Sequence, residues 1–127
     1  MNADKKNISK IEDYFYFLLK GMENVYFGTL PTPKSEWETM VLVDCSNAIS
    51  DFDAYGSGIV LVYLYAKPNG EVKNSTALSK LEEQLNERLK TYKSPDGYSA
   101  SIQWKESDYD DTKRLHYVVV AMNILIV

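Results

Sequence analysis

The chain has 127 residues, of which 45% are hydrophobic and 25% are charged, and its formal net charge is −4. This length suits one domain, residues 1–127, and this composition argues against a disordered chain. A negative net charge argues against a specific nucleic-acid binder, because such proteins neutralise phosphates with clustered lysines and arginines. No apolar run reaches the ~20 residues of a membrane helix, so we expect no membrane association.

The first residues and the cysteine usage predict where the protein is made. The N-terminus leads into an amphipathic helix and not into a signal-peptide core, which argues against export by that route. Cys45 is the only cysteine, so it cannot form an intramolecular disulfide. We therefore expect synthesis in a reducing cytoplasm, with Cys45 as a buried thiol.

Two helices are predicted from apolar residues that recur at spacings of three and four. The stripe of the first contains Ile8, Ile11, Phe15, Leu18 and Met22, and is widened by Tyr14, Phe17 and Leu19. The second helix runs from about Ser75 to Tyr92, and its stripe contains Leu78, Leu81, Leu85, Leu89 and Tyr92. Between the first helix and the first strand, residues 25–33 are predicted to be extended because they contain prolines.

Four strands are predicted, and the last is the most distinctive. They are Thr39–Cys45, Ile59–Lys67, Tyr98–Glu106, with Trp104 pointing inward, and a strand within residues 112–127. One face of the last strand carries His116, Val118, Val120, Met122, Ile124 and Ile126, and the opposite face is apolar except for Asn123. Such a strand needs cover on both sides, from its own domain and from a partner.

The order of these elements is α-β-β-α-β-β, which predicts an α+β fold. We expect a single antiparallel sheet of about four strands, with two helices packed on one face. The residues from Ser46 to Gly58 are predicted to form a flexible loop used in assembly. The acidic stretch from Ser107 to Asp111 is predicted to connect the third strand to the last one.

The distribution of charge is uneven. Between Ser35 and Ala66 there is no lysine or arginine, whereas the same stretch contains Glu36, Glu38, Asp44, Asp51 and Asp53. One interpretation is an acidic surface with a function. The other is a solvated loop whose acids keep a sheet edge from aggregating.

Few residues have a pattern typical of catalysis. His116 is the only histidine, and a nucleophilic Cys45 would need it from across the sheet. The stretch from Asp51 to Gly56 resembles the start of a calcium loop but has Tyr55 at the fifth position and Val62 at the twelfth. A cluster formed by Asp108, Asp110 and Asp111 is typical of a solvated turn. We therefore predict no catalytic residues, no metal site and no cofactor.

Aromatic residues instead indicate protein–protein contact. Ten tyrosines and two tryptophans are more than a small core encloses with satisfied hydroxyls, and both residue types are common at interfaces. A half-buried place at the rim of the core is the simpler interpretation for any single tyrosine, whereas the set favours an interaction protein. The predicted interface residues are Asp51, Phe52, Asp53, Tyr55, Asp108, Tyr109 and Asp110.

Three stretches carry a resemblance to a known family. They are Val25-Tyr-Phe-Gly-Thr-Leu-Pro31, Gly58-Ile-Val-Leu-Val-Tyr-Leu-Tyr-Ala66 and Asp110-Asp-Thr-Lys-Arg-Leu-His-Tyr-Val-Val-Val120. With the order of elements, they resemble the tail-completion proteins (tail-terminator, head–tail joining proteins) of long-tailed bacteriophages and prophages, from about Ile11 to Val127.

The resemblance implies a structural protein that forms a ring at the top of the tail tube, a hexamer in the virion and a monomer when free. The ring would cap the tube, bind tail-tube and head-completion proteins, and let DNA pass through an acid-lined channel without specific binding. The protein would pass from the cytoplasm into the virion tail, without a cofactor. The competing hypothesis is a small cytoplasmic adaptor that binds a partner through its sheet and loops.

Overall fold

The computed structural model describes residues 8–46 and 57–126, and these form a two-layer α+β structure. The elements in chain order are α1 (Ile8–Leu18), β1 (Val25–Phe27), β2 (Thr39–Asp44), β3 (Ser57–Ala66), α2 (Ser75–Thr91), β4 (Tyr98–Asp110) and β5 (Leu115–Ile126). All five strands belong to one sheet with the order β1-β2-β3-β5-β4. The α+β class is confirmed, but the prediction of about four strands, all antiparallel, is wrong because β1 runs parallel to β2.

The parallel strand β1 is set by the turn that precedes it. Gly21 has φ 99°, which suits the end of a helix, and Asn24 has φ 55°, a conformation that asparagine tolerates better than most residues. The Asn24 side chain donates from Nδ2 to the carbonyl oxygen of Thr39 at 2.9 Å, and the backbone carbonyl oxygen of Asn24 accepts from the Val41 amide at 2.9 Å. These bonds align β1 with β2.

The main core lies between the two helices and one face of the sheet, here called the inner face. Leu78, Leu81 and Leu85 of α2 are buried in the same cluster as Ile11, Phe15 and Leu18 of α1, and Leu89 is partly buried there. The sheet contributes Val41, Val43, Val60, Val62, Leu64, Val118, Val120, Met122 and Ile124. Both predicted helix stripes are thereby confirmed at these positions. Phe17 is an exception, since it is 48% exposed and lies about 200° around the helix from Phe15.

Polar contacts fix the two helices. Arg88 of α2 donates from Nε to the Leu18 carbonyl oxygen at 2.7 Å and from Nη2 to that of Phe17 at 2.9 Å. These acceptors are among the carbonyls that the end of a helix leaves unpaired. At the start of α2, Asn74 Oδ1 accepts from the Ala77 amide at 3.2 Å, and Asn74 Nδ2 donates to Glu38 Oε1 at 3.1 Å. The second contact joins α2 to the start of β2.

The hairpin of β4 and β5 is longer than predicted. The stretch from Ser107 to Asp110 was expected to be part of a connection, but it pairs with β5 as far as the Asp110–Leu115 pair. A register shift between Ile102 and Trp104 also alters the alternation of β4. Because one extra residue in a strand reverses the faces that follow it, Trp104 lies on the face opposite to the predicted one.

The predicted loop from Ser46 to Gly58 is corrected at one end, because Ser57 and Gly58 belong to β3. Residues 47–56 lie outside the described part of the chain. Among the residues that the structure describes, no helix is long and apolar enough to cross a membrane.

Candidate protein-interaction surface

The second face of the sheet, here called the outer face, points away from α1 and α2. Alternation along the strands places on it Tyr26 of β1, Met40, Leu42 and Asp44 of β2, Ile59, Leu61, Tyr63 and Tyr65 of β3, Tyr117, Val119, Ala121, Asn123 and Leu125 of β5, and Ser99, Ser101, Trp104, Glu106, Asp108 and Asp110 of β4. In the described part of the chain, both helices pack on the inner face. On the outer face, Met40, Tyr65, Val119 and Ala121 are buried, whereas Trp104 and Leu125 are exposed.

One end of the outer face is covered by residues 28–38, here called the cover segment. Leu30 is buried and Trp37 is partly buried in a second cluster with Met40, Tyr65 and Leu115. Lys67 holds the segment in place, since its ammonium group donates to the carbonyl oxygens of residues 34 and 35, and its amide donates to that of residue 38 at 2.9 Å.

Three tyrosines form a cluster next to the cover segment. The ring centroids of Tyr63 and Tyr65 are 6.0 Å apart and nearly parallel, and that of Tyr117 lies 5.8 Å from Tyr63 and 5.5 Å from Tyr65. Tyr65 is buried, whereas Tyr63 and Tyr117 are partly exposed. Contacts of this kind between aromatic rings add to the stabilisation from burial. The tyrosine cluster is thus an aromatic platform that remains partly open to solvent.

In the strands, all charged side chains on the outer face are acidic. All four acidic residues of the described strands lie on it, namely Asp44, Glu106, Asp108 and Asp110. The only lysine or arginine in those strands is Lys105, which points to the other face and binds Glu82 Oε1 of α2 at 2.9 Å. The strands therefore present carboxylates beside the tyrosine cluster without a basic side chain among them.

These carboxylates act on the tyrosine hydroxyls. The pKa of Tyr63 is raised by burial and then by the charge of Asp44, and the pKa of Tyr117 is raised by burial and then by Asp108. Asp110 behaves differently, because its pKa is lowered chiefly by a hydrogen bond from the Lys113 amide at 2.9 Å. Asp108 and Asp44 also accept backbone amide hydrogen bonds, from Tyr109 at 2.7 Å and from Ser46 at 2.9 Å.

Exposed apolar side chains extend the outer face away from the cover segment. Trp104 is 46% exposed and lies opposite Ala121, and Leu125 is 41% exposed near the end of β5. Ile59 and Leu61 of β3 are also partly exposed, and they lie between β5 and β2 in the sheet. An apolar area with an aromatic centre and a polar rim is typical of a protein-interaction surface.

The structure brings together only part of the predicted interface. Asp108 and Asp110 lie on the outer face, but Tyr109 is on the other side, where its ring centroid is 4.6 Å from that of His116. Asp108, Tyr109 and Asp110 were expected in a connection between strands. They lie in β4 instead, where successive side chains point to opposite faces of the sheet. The other predicted interface residues, Asp51, Phe52, Asp53 and Tyr55, lie outside the described residues.

Several residues of the outer face were missed by the sequence interpretation. Tyr63 and Tyr65 alternate with buried Val62 and Leu64, and this period of two was the signal that could have placed both tyrosines on one face. Trp104 could not be assigned correctly, since its face depends on the register shift in β4.

The residues considered for catalysis do not form a pair. Cys45 follows β2, whereas His116 is in register with Ala66 at the opposite end of the sheet, about 20 Å away at the usual rise per strand residue. Cys45 is buried as predicted, and burial is the main cause that raises its thiol pKa to about 12. Within residues 8–46 and 57–126, no group of three or more His, Cys, Asp or Glu side chains could hold a metal ion.

No protein-family model matches the sequence, and no curated protein matches it either. The function is therefore inferred from the outer face and from the three sequence stretches that resemble tail-completion proteins.

Proposed function

We propose that the chain is a structural virion protein that assembles as a ring, caps the tail tube of a phage or prophage and joins it to the head. The observation that supports this proposal most is the outer face. It combines the tyrosine cluster, the exposed Trp104 and Leu125, and carboxylates on one side of a single sheet. A subunit that must bind neighbours needs such a surface, and tyrosine and tryptophan are enriched at interfaces of this kind.

The resemblance and the outer face involve the same part of the molecule. The first stretch forms β1 and the start of the cover segment, the second lies within β3, and the third spans the turn from β4 into β5. Thus the residues that carry the resemblance also build the tyrosine cluster and its surroundings. This coincidence favours assembly through the outer face.

The proposed partners are other copies of the chain, tail-tube proteins and head-completion proteins. The ring is a hexamer in the virion, and the free chain remains a monomer at low concentration until a tube end supplies a template. Assembly takes place in the bacterial cytoplasm. DNA then passes through the ring without a specific contact, and no cofactor takes part.

Tail tubes that lack the protein provide the direct test in vitro. Purified protein is added to such tubes, and the tube ends are imaged by electron microscopy. We expect ring-shaped density at one end and an arrest of further tube growth. Replacing Trp104 by Ala should weaken capping, whereas Val72→Ala, at an exposed apolar side chain away from the sheet, should not. Bare ends and unchanged growth with the wild-type protein would contradict the proposal.

The adaptor hypothesis makes a different prediction in the same experiment. An adaptor would leave the tube ends bare while its outer face bound a cytoplasmic partner. Binding of a defined partner that Trp104→Ala removes, together with bare tube ends, would favour the adaptor.

A further inference from the structure

The outer face is poorly suited to bind a second outer face. Two copies related by a twofold axis would bring Asp44, Glu106 and Asp108 of one subunit close to the same carboxylates of the other. Like charges placed together at an interface cost several kcal/mol, and the strands offer no basic side chain on this face to offset them. A contact between copies therefore needs a different, more basic surface as the counterpart of the outer face.

Such a surface is present at the end of α1. Tyr16 is 56% exposed and Phe17 is 48% exposed, and their rings meet edge to face with centroids 5.1 Å apart. Lys20 is exposed directly after them. We call Tyr16, Phe17 and Lys20 the α1 patch. It presents two aromatic rings that the core does not use, beside a positive charge.

Neighbouring features make the α1 patch suitable for binding an aromatic side chain. A hollow of about 260 Å³ beside Tyr16 and Lys20 is lined by Met22, Val25 and Phe27. The carbonyl oxygens at the end of α1 are already bonded to Arg88, which adds a second positive group near Phe17. Glu23 and Glu87 are exposed near Lys20 and Arg88, so the end of α1 carries charges of both signs, whereas the strands of the outer face carry only acidic ones.

The two surfaces lie on opposite sides of the molecule. The α1 patch belongs to the helix layer on the inner face, and the tyrosine cluster lies on the outer face. One copy can therefore use both surfaces at once. Contacts between two different surfaces are heterologous, and they generate closed rings when the rotation between copies closes.

We propose that copies of this chain associate head to tail, with the α1 patch of one copy packed against the acidic outer face of the next. In this contact, Lys20 of one copy lies near Glu106 and Asp108 of its neighbour, and the exposed Trp104 packs against the aromatic rings and the hollow of the α1 patch. The inference rests on the proposed function, because it specifies how the proposed ring is closed. Its electrostatic part weakens as salt is added.

The test uses two double variants that each remove one surface. Glu106→Lys with Asp108→Lys reverses the charge of the outer face, and Phe17→Ser with Lys20→Glu removes the α1 patch. All four side chains are exposed, so both variants should fold, as thermal unfolding can verify. Trp104→Ser is a second outer-face variant, used if the charge reversal alters folding.

Matched controls change the same kinds of residues elsewhere. Glu71→Lys with Glu83→Lys makes the equivalent charge change at two exposed acids that belong to neither surface. Val72→Ser with Lys80→Glu removes an exposed apolar side chain and reverses a charge away from both surfaces.

Self-association is measured by sedimentation velocity and native mass spectrometry at low salt, up to about 1 mM protein, which detects even weak contacts. We expect each surface variant to lose at least about tenfold in association, and both controls to associate like the wild type. An equimolar mixture of the two surface variants retains one intact contact. It should therefore give heterodimers and no larger assemblies.

Three results would overturn the inference: a wild type that stays monomeric throughout, surface variants that associate normally, or a mixture that gives no heterodimer. The proposed function is judged separately at the tube ends. Rings on tubes that form equally well with both surface variants would overturn the head-to-tail contact and leave the capping role standing. Self-association of the wild type without any capping of tubes would overturn the capping role and leave the head-to-tail contact standing.

Discussion

Asp108 lies directly opposite Tyr117 across β4 and β5 on the outer face, and its carboxylate helps to raise the pKa of the Tyr117 hydroxyl. Burial is the larger cause of this shift, and the carboxylate comes second. The pair shows that a fixed negative charge acts on the rim of the tyrosine cluster, where a positive group from a partner would be stabilised.

Replacing Asp108 by Asn should therefore lower the pKa of Tyr117 towards the ordinary tyrosine value without restoring it fully, since burial remains. Tyrosine titration followed by NMR measures this shift. Glu83→Gln removes an acid from the exposed side of α2 and is the control. An unchanged Tyr117 titration in Asp108→Asn would show that the carboxylate is too well screened to influence the outer face.

The core between α2 and the inner face depends on Leu85, which is 1% exposed. Leu85→Ala should lower the free energy of unfolding by about 2–5 kcal/mol, because it removes buried methyl groups and leaves a cavity. Gln84→Ala, at the exposed neighbouring position, should change it by no more than about 0.5 kcal/mol. Urea unfolding of the three proteins provides the comparison. A loss below about 1 kcal/mol for Leu85→Ala would mean that this contact is not part of the main core.

Arg88 joins the helices through the two carbonyl oxygens at the end of α1. Arg88→Ala should lower the free energy of unfolding by about 1–2 kcal/mol, since partly buried hydrogen bonds from a charged donor are lost. Lys90→Ala, two residues further along α2 and exposed, is the matched control. Equal stability of the two variants would argue against the view that Arg88 stabilises the end of α1.

The helices and the central strands could be predicted from sequence because their patterns are local. The leucines of α2 recur at helical spacing, and the alternation along β5 survives in the structure from His116 to Ile124. Each pattern needs only the residues of its own element. The buried positions of both helices follow for the same reason.

Other features depend on partners that are distant in sequence. β1 has three residues and becomes a strand only through parallel pairing with β2. The acidic residues from Ser107 to Asp110 have a composition typical of a turn, but pairing along the whole of β5 makes them strand residues. The outer face was only partly predicted for this reason, and because the register shift in β4 determines where Trp104 points.

Alkaline pH should destabilise the fold through Tyr14. Its pKa is raised to about 12, first by burial and then by the nearby Tyr92, whereas a tyrosine in the unfolded chain ionises near its ordinary value of 10.0. The folded state thus keeps a proton that the unfolded state loses. The stabilisation that comes from the protonated Tyr14 hydroxyl is therefore complete below pH 10 and falls as the pH rises towards 12. Urea unfolding at several pH values measures the slope. Tyr14→Phe should reduce the slope, and Tyr16→Phe serves as the exposed control. An equal slope in wild type and Tyr14→Phe would contradict this assignment.

The proposed capping role predicts that the gene lies in a phage or prophage genome, and tail length in that phage or prophage tests the role most directly. Deleting the gene should give overlong or headless tails in electron micrographs, and supplying the wild-type chain should restore tails of normal length joined to heads. The Glu71→Lys and Glu83→Lys control should also restore them, whereas Trp104→Ala should do so poorly. Normal, head-joined tails from the deletion strain would contradict the proposed function.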